Sequence, residues 1–118
     1  MTEPYYPDAT TWFRDHFAPL VHRQLDAGQT WCAQWWAHPE AVSRLEALWR
    51  AWETLRLDPA FGISQWWRDH ADPHLSVLLS RDHGPFAACT PTRHNNDLPE
   101  LPHKDEQHPE VRTSPTHP

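Results

Sequence analysis

Tryptophan is concentrated in one stretch of the chain, and this concentration constrains the fold more than any other feature. Seven of the eight tryptophans lie between Trp31 and Trp67, and the eighth is Trp12. An indole ring removes about 150–250 Å² from water when it enters a core. Because 118 residues are enough for only one small domain, we expect these rings to supply most of its core.

The C-terminal part of the chain has no comparable apolar area. Six of the thirteen prolines follow residue 90, where the large apolar residues are Leu98, Leu101 and Val111. A segment of this composition cannot offset the entropy lost when it becomes ordered. The sequence therefore predicts a Trp-rich folded domain over residues 8–91 and a disordered Pro/His/acid-rich tail over residues 92–118.

Helical periodicity dominates the folded part, and no strand pattern is strong enough to build a sheet. The predicted helices cover about residues 11–25, 39–57, 65–70 and 74–79, with a proline kink or break near Ala18 in the first helix and a restart at Asp72-Pro73 between the last two. A short extended segment is expected over residues 86–89, after a Gly-Pro turn. The predicted fold class is mainly α, a compact bundle of three to four helices. We expect no internal repeat.

Charge and hydropathy argue against two classes of partner, nucleic acids and membranes. The net charge is −6 and no basic stripe is visible, which argues against direct binding to nucleic acid. No apolar run approaches the ~18 residues of a membrane span, and the N-terminus is polar, unlike a signal peptide. We expect a cytoplasmic protein without a membrane contact, whose two cysteines are free or bound to metal.

Cysteine and histidine supply the candidate metal ligands. His70 and His74 are four positions apart, which on a continuous helix places both imidazoles on one face. With Cys32 and Cys89 they would complete the Cys₂His₂ set that zinc prefers. The tail histidines, His94 included, are too scattered to predict a site. The favoured interpretation is plain packing of buried thiols, so no cofactor is predicted and zinc is the alternative.

A thiol enzyme is a further alternative. Cys32 with His38 or His70 and the acid Asp69 would supply a nucleophile, a base and an orienting group. Neither cysteine is accompanied by a glycine-rich elbow or an oxyanion-hole signature, so enzymatic activity is not what we expect.

Two adjacent tryptophan pairs suggest a contact surface. Neighbouring side chains on a helix diverge by about 100°, so one ring of each pair can enter the core while the other faces outward. Exposed tryptophans are typical of interface hot spots. The predicted interaction residues are Trp35, Trp36, Trp66 and Trp67, and the predicted activity is contact with another protein whose identity the sequence does not give. The competing interpretation buries all four rings.

Four blocks of sequence, WCAQWWAHPEA, RLEALWRAWETLR, WWRDHADPH and GPFAAC, occur in this order. They resemble the actinobacterial domain of unknown function 4913 family, over about residues 12–91. The resemblance implies a small domain typical of actinobacteria, often carried on plasmids, phages and integrated conjugative elements. It implies no activity, cofactor or catalytic residue. From it we expect a small accessory protein of a mobile element.

Overall fold

Helices form the framework of the protein. The computed structural model describes residues 3–104. Its regular structure consists of a first helical segment, a short 3₁₀ turn, a central helix and a third helical segment, at residues 9–20, Trp35–Ala37, Pro39–Leu55 and 62–79. Strand pairing in the described range is limited to two isolated bridges, Gln29 with Ser80 and Thr90 with Arg93. The predicted mainly helical class is confirmed.

The longest described helix is Pro39–Leu55, with 17 residues. None of the described helices is long and apolar enough to cross a lipid bilayer.

The central helix matches its amphipathic sequence. Pro39 occupies the first turn, where its missing N–H costs nothing. Apolar residues then recur at three- and four-residue intervals, and the buried ones are Ala41, Leu45, Leu48 and Trp52. The helix ends at Leu55, two residues before the expected end. Its buried face is the surface on which the two flanking segments pack.

Each flanking segment contains a π turn next to a proline. The turns are Phe13–Phe17 in the first segment and Trp67–Ala71 in the third. The N–H of Ala18 bonds to the carbonyl of Phe13, and that of Asp72 bonds to the carbonyl of Trp67, in both cases five residues back. The wider turn accommodates Pro19 and Pro73, each the second residue of the α-turn that follows. Neither helix is therefore broken at its proline, although a restart was expected at Pro73 and a kink or break near Ala18.

Indole rings form the centre of the core, as the sequence predicts. Trp12 and Trp66 are fully buried and meet edge to face, with ring centroids 6.1 Å apart. Phe17 stacks on Trp12 at 4.9 Å, and the indole N–H of Trp66 donates to the Leu48 carbonyl at 3.0 Å. Trp36 is the one indole ring that is mostly exposed, at 63%.

Two details differ from the sequence-based expectation. The first helix ends at Leu20 rather than residue 25, and the chain then extends at Val21. Residues 86–88 form turns instead of an extended segment, because Ala87 N–H donates to Gly84 and Cys89 N–H to Phe86. These turns place the Phe86 ring in the core. Of the predicted tail, residues 92–104 carry no helix, and the remainder lies outside the described residues.

Hydrogen bonds to one carboxylate attach the N-terminal segment to the central helix. Glu53 accepts the backbone N–H groups of Tyr5 and Tyr6 at 2.7 and 2.9 Å. It also accepts the indole N–H of Trp49 at 3.1 Å and the Arg56 guanidinium at 3.0 Å. Burial raises the pKa of Glu53, but these four hydrogen bonds outweigh burial, so the pKa lies below its usual value of 4.5.

Replacing Glu53 by Gln tests this attachment. An amide offers one acceptor oxygen instead of two charged ones, so we expect the free energy of unfolding to fall by about 2 kcal/mol at pH 7. Because the folded-state pKa of Glu53 is lowered, its contribution is present above the unfolded pKa of 4.5 and is lost as pH falls through the folded value. Urea denaturation at pH 7 and at acidic pH measures both effects. Glu46→Gln, on an exposed position of the same helix, is the control, and equal losses in the two variants would contradict the assignment.

Candidate metal centre

Two loops bring two cysteines and two histidines together. Cys32 precedes the 3₁₀ turn, and His38 is the last residue before the central helix. Cys89 and His94 follow the third helical segment. His38 makes no side-chain capping bond to the helix that it precedes, and its imidazole lies against Cys89 instead.

The four donor atoms lie close enough to share one ion. All of them are within 4.8 Å of one another. Cys32 Sγ is 3.2 Å from His94 Nδ1, and Cys89 Sγ is 3.6 Å from His38 Nε2 and 4.0 Å from His94 Nδ1. A tetrahedral zinc ion with ordinary Zn–S and Zn–N bonds would separate such donors by about 3.3–3.8 Å. The spacing therefore fits this metal with small adjustments.

The surroundings of the cluster suit a coordinated ion. Cys32, His38 and Cys89 are buried and His94 is half-buried, so water has little access to compete for the metal. The Phe86 ring packs against the imidazole of His38 at 5.0 Å. These contacts give the donors a fixed and largely dry environment.

Each sulfur accepts a backbone hydrogen bond. The N–H of Asn95 donates to Cys89 Sγ at 3.3 Å, and the N–H of Gln34 bonds to the Cys32 sulfur. Such bonds stabilise a thiolate and orient it, which is the usual role of groups around metal ligands. The same two loops that carry the ligands therefore also carry their supporting donors.

Without a metal, Cys32 and His38 favour their neutral forms. Burial raises the pKa of the Cys32 thiol and the adjacent Cys89 adds to the rise, while the Gln34 N–H acts in the opposite direction. Burial lowers the pKa of His38, and the neighbouring His94 lowers it further. A divalent cation reverses the balance at the sulfurs, because coordination displaces the thiol protons.

Backbone contacts fix the relative positions of the two loops. Thr30 N–H donates to the Leu79 carbonyl at 2.8 Å, and Arg81 N–H to the Gly28 carbonyl at 2.9 Å. The buried Thr30 hydroxyl donates to the Cys89 carbonyl at 2.7 Å. A side chain at Gly84 would lie 2.2 Å from the Val77 carbonyl oxygen, so only glycine lets the second loop turn this tightly against the helix.

The structure groups the predicted ligands differently from the sequence. Cys32 and Cys89 are together, but the cluster found among the described residues contains His38 and His94. His70 and His74 lie on the third helical segment. Arg44 Nη1 is 2.9 Å from His74 Nδ1, so a guanidinium occupies one of the two ring nitrogens through which His74 could bind a metal.

The sequence signal for the cluster was the pairing of each cysteine with a following histidine. His38 comes six positions after Cys32 and His94 five positions after Cys89 (38 − 32 and 94 − 89). The set of metal ligands predicted from the sequence contains neither of these histidines, because helical spacing favours His70 and His74 and because His94 lies in the predicted tail. Spacing within a loop carries no fixed geometry, so only the fold brings the two pairs together.

The tryptophan pairs show the expected division of burial. Trp35 and Trp66 are buried, Trp36 is exposed, and Trp67 is partly buried against the core. The rings in each pair meet edge to face, at 6.0 Å and 4.9 Å. Their role in binding another protein stays a prediction.

Replacing Thr30 by Val tests the link between the two loops. The substitution keeps the shape and leaves the buried Cys89 carbonyl without its hydroxyl donor, so we expect a loss of about 1–2 kcal/mol in the free energy of unfolding. Urea denaturation of metal-free protein measures it. Thr90→Val, one residue after Cys89 and only partly buried, serves as the control. Equal stability of Thr30→Val and wild type would show that this hydrogen bond does not hold the loops.

Comparison with known protein families matches residues 6–109 to the family described as Domain of unknown function (DUF4913). Neither curated proteins nor solved structures give a significant match. The matched range contains all four clustered donors and extends beyond the stretch, residues 12–91, on which the resemblance rested. Because the match spans most of the sequence, the chain belongs to the DUF4913 family.

Proposed function

We propose that this protein is a zinc-stabilised helical module that acts by contacting another protein. One zinc ion would be held by Cys32, His38, Cys89 and His94, and the module would serve as an accessory protein of an actinobacterial mobile element. The observation that carries the metal proposal is the convergence of these four donors, from two distant stretches, within 4.8 Å.

The donor set favours zinc over other cations. Two thiolates and two imidazoles are the ligands of structural zinc sites, whereas magnesium and calcium prefer oxygen. Copper(I) also takes thiolates, but a four-coordinate arrangement of two sulfurs and two nitrogens is the one typical of zinc.

The same set favours a structural role over catalysis. Four protein donors fill a tetrahedral coordination sphere, while catalytic zinc keeps one position for water or substrate. A thiol enzyme is disfavoured by the burial of Cys32, which is 1% exposed, because a nucleophilic cysteine must reach its substrate. The chemistry of the site therefore supports cohesion of the fold.

Metal analysis of untagged protein tests the zinc proposal. We expect one zinc per chain, and we expect its removal by a chelator to lower thermal stability, because metal binding to the folded state alone contributes directly to folding. Cys89→Ser should abolish stoichiometric zinc. His70→Gln, which removes a histidine outside the cluster, should keep it. Loss of zinc in His70→Gln with retention in His94→Gln would instead support the grouping expected from the sequence, and a wild-type protein free of zinc after expression in zinc-supplemented medium would refute the proposal.

Trp36 is the residue that favours the contact role. Its ring is 63% exposed and lies two positions before the His38 ligand, on the 3₁₀ turn. The proposed zinc ion would restrict the loop that carries Trp36, so binding of a partner to this ring would cost little further conformational entropy. Interface anchors share this property.

A quantitative pull-down from the native host tests this role. We expect proteins that bind the wild type in stoichiometric amount to be lost with Trp36→Ala, since a hot-spot tryptophan contributes about 2 kcal/mol or more to binding. Phe61→Ala removes another exposed aromatic ring, 73% exposed and distant in sequence, and should keep the same partners. Identical captured sets for wild type and Trp36→Ala would exclude Trp36 as the anchor.

A further inference from the structure

We infer that the chain contains two copies of one structural unit, residues 12–38 and 66–94, related by an approximate two-fold axis that passes through the candidate metal centre. The part of this inference that concerns a bound ion rests on the proposed function. The duplication itself rests on sequence and fold alone.

The two units share an eight-residue motif. Residues 12–19 read WFRDHFAP and residues 66–73 read WWRDHADP, so Trp, Arg, Asp, His and Pro recur at the same spacing. A cysteine follows the tryptophan after 20 positions in the first unit and 23 in the second (32 − 12 and 89 − 66). A histidine follows that cysteine after six and five positions. The short motif is visible in the sequence, contrary to our expectation of no repeat, whereas the unequal spacings after it obscure the longer unit.

The motif has the same structure in both units. In each, the tryptophan is fully buried and ends an α-helical turn, and the next five residues form the π turn. The Arg and Asp that follow form a surface ion pair, Arg14 with Asp15 at 2.7 Å and Arg68 with Asp69 at 2.8 Å. Since π turns are rare in helices, two of them at equivalent positions are difficult to attribute to chance.

Contacts across the axis are reciprocal. Trp12 meets its counterpart Trp66 at 6.1 Å, and the two histidine ligands meet at 5.0 Å. The cysteine of each unit lies against the histidine of the other, Cys32 against His94 and Cys89 against His38. This exchange, in which residue i contacts j and residue j contacts i of the other copy, is the signature of a two-fold interface.

Each unit therefore supplies one half of the candidate metal centre, a cysteine and a histidine. The central helix Pro39–Leu55 connects the units and packs against both helical segments. A zinc ion on the axis would join two equivalent units, so neither pair of ligands would be the principal one.

Matched cysteine variants test the shared centre. Competition for zinc with a chromophoric chelator should show that Cys32→Ser and Cys89→Ser weaken binding by similar factors, about a hundredfold or more each and within about threefold of one another. A variant that keeps wild-type affinity, or two variants that differ more than about thirtyfold, would show that one unit holds the metal without the other and would overturn the shared centre.

Matched proline variants test the duplication without any metal. Pro19→Ala and Pro73→Ala each add a backbone N–H at the equivalent exposed position after the π turn. In hydrogen exchange of chelator-treated, full-length protein, we expect the new amides at residues 19 and 73 to be protected to similar degrees, within about tenfold of one another. Protection in only one variant would overturn the structural equivalence. A wild type that takes up no zinc would refute the proposed function and the bound ion on the axis, and the proline comparison would still decide the duplication.

Discussion

Edge-to-face packing of Trp12 and Trp66 is the contact on which the rest of the structure depends. The two rings are fully buried where the first and third helical segments meet the central helix. A buried aromatic ring removes about 150–250 Å² from water, so this pair joins the helical segments through a large apolar contact. The loops that follow the first and third segments meet at the four-residue cluster because these segments are held together here.

Burying the two cysteines and two histidines together has an electrostatic cost, which a bound divalent cation would reduce. Two thiols and two imidazoles packed together in a core lose water and gain only weak hydrogen bonds from one another. One divalent cation with two thiolates and two neutral imidazoles has no net charge, so the filled site would carry little of the penalty of an isolated buried ion. The backbone N–H groups of Gln34 and Asn95 then complete the environment of the sulfurs.

Local pattern predicted the helices better than it predicted the site. The stripe containing Leu45, Leu48 and Trp52 fixed the central helix within two residues at its end, because a helix of this length is determined by its own periodicity. The same reliance on helical spacing selected His70 and His74 as ligands. In the structure, His74 instead contacts Arg44 of the central helix. A contact between two helices cannot be predicted from the residue spacing within either helix.

The prolines show the same limit in the backbone. Pro19 and Pro73 predict helix breaks from their missing N–H and their steric demands. Both helices nevertheless continue, through π turns that end at the buried residues Phe17 and Ala71. Likewise, the sequence places His94 in a polar tail, whereas the bridge between Thr90 and Arg93 and the turns after Gly84 bring it beside Cys32.

The position of His94 has a consequence for how the molecule is made. A bond through one ion between Cys32 and Cys89 would close a loop of 57 positions (89 − 32). A cross-link of that span would lower the conformational entropy of the unfolded chain and so stabilise the folded state by about 4 kcal/mol. Among the described residues, the last of the four ligands is synthesised after all of the helices. Zinc binding through all four donors would then follow the synthesis of these helices, and cellular zinc supply would set the fraction of chains that gain the stability of the filled site.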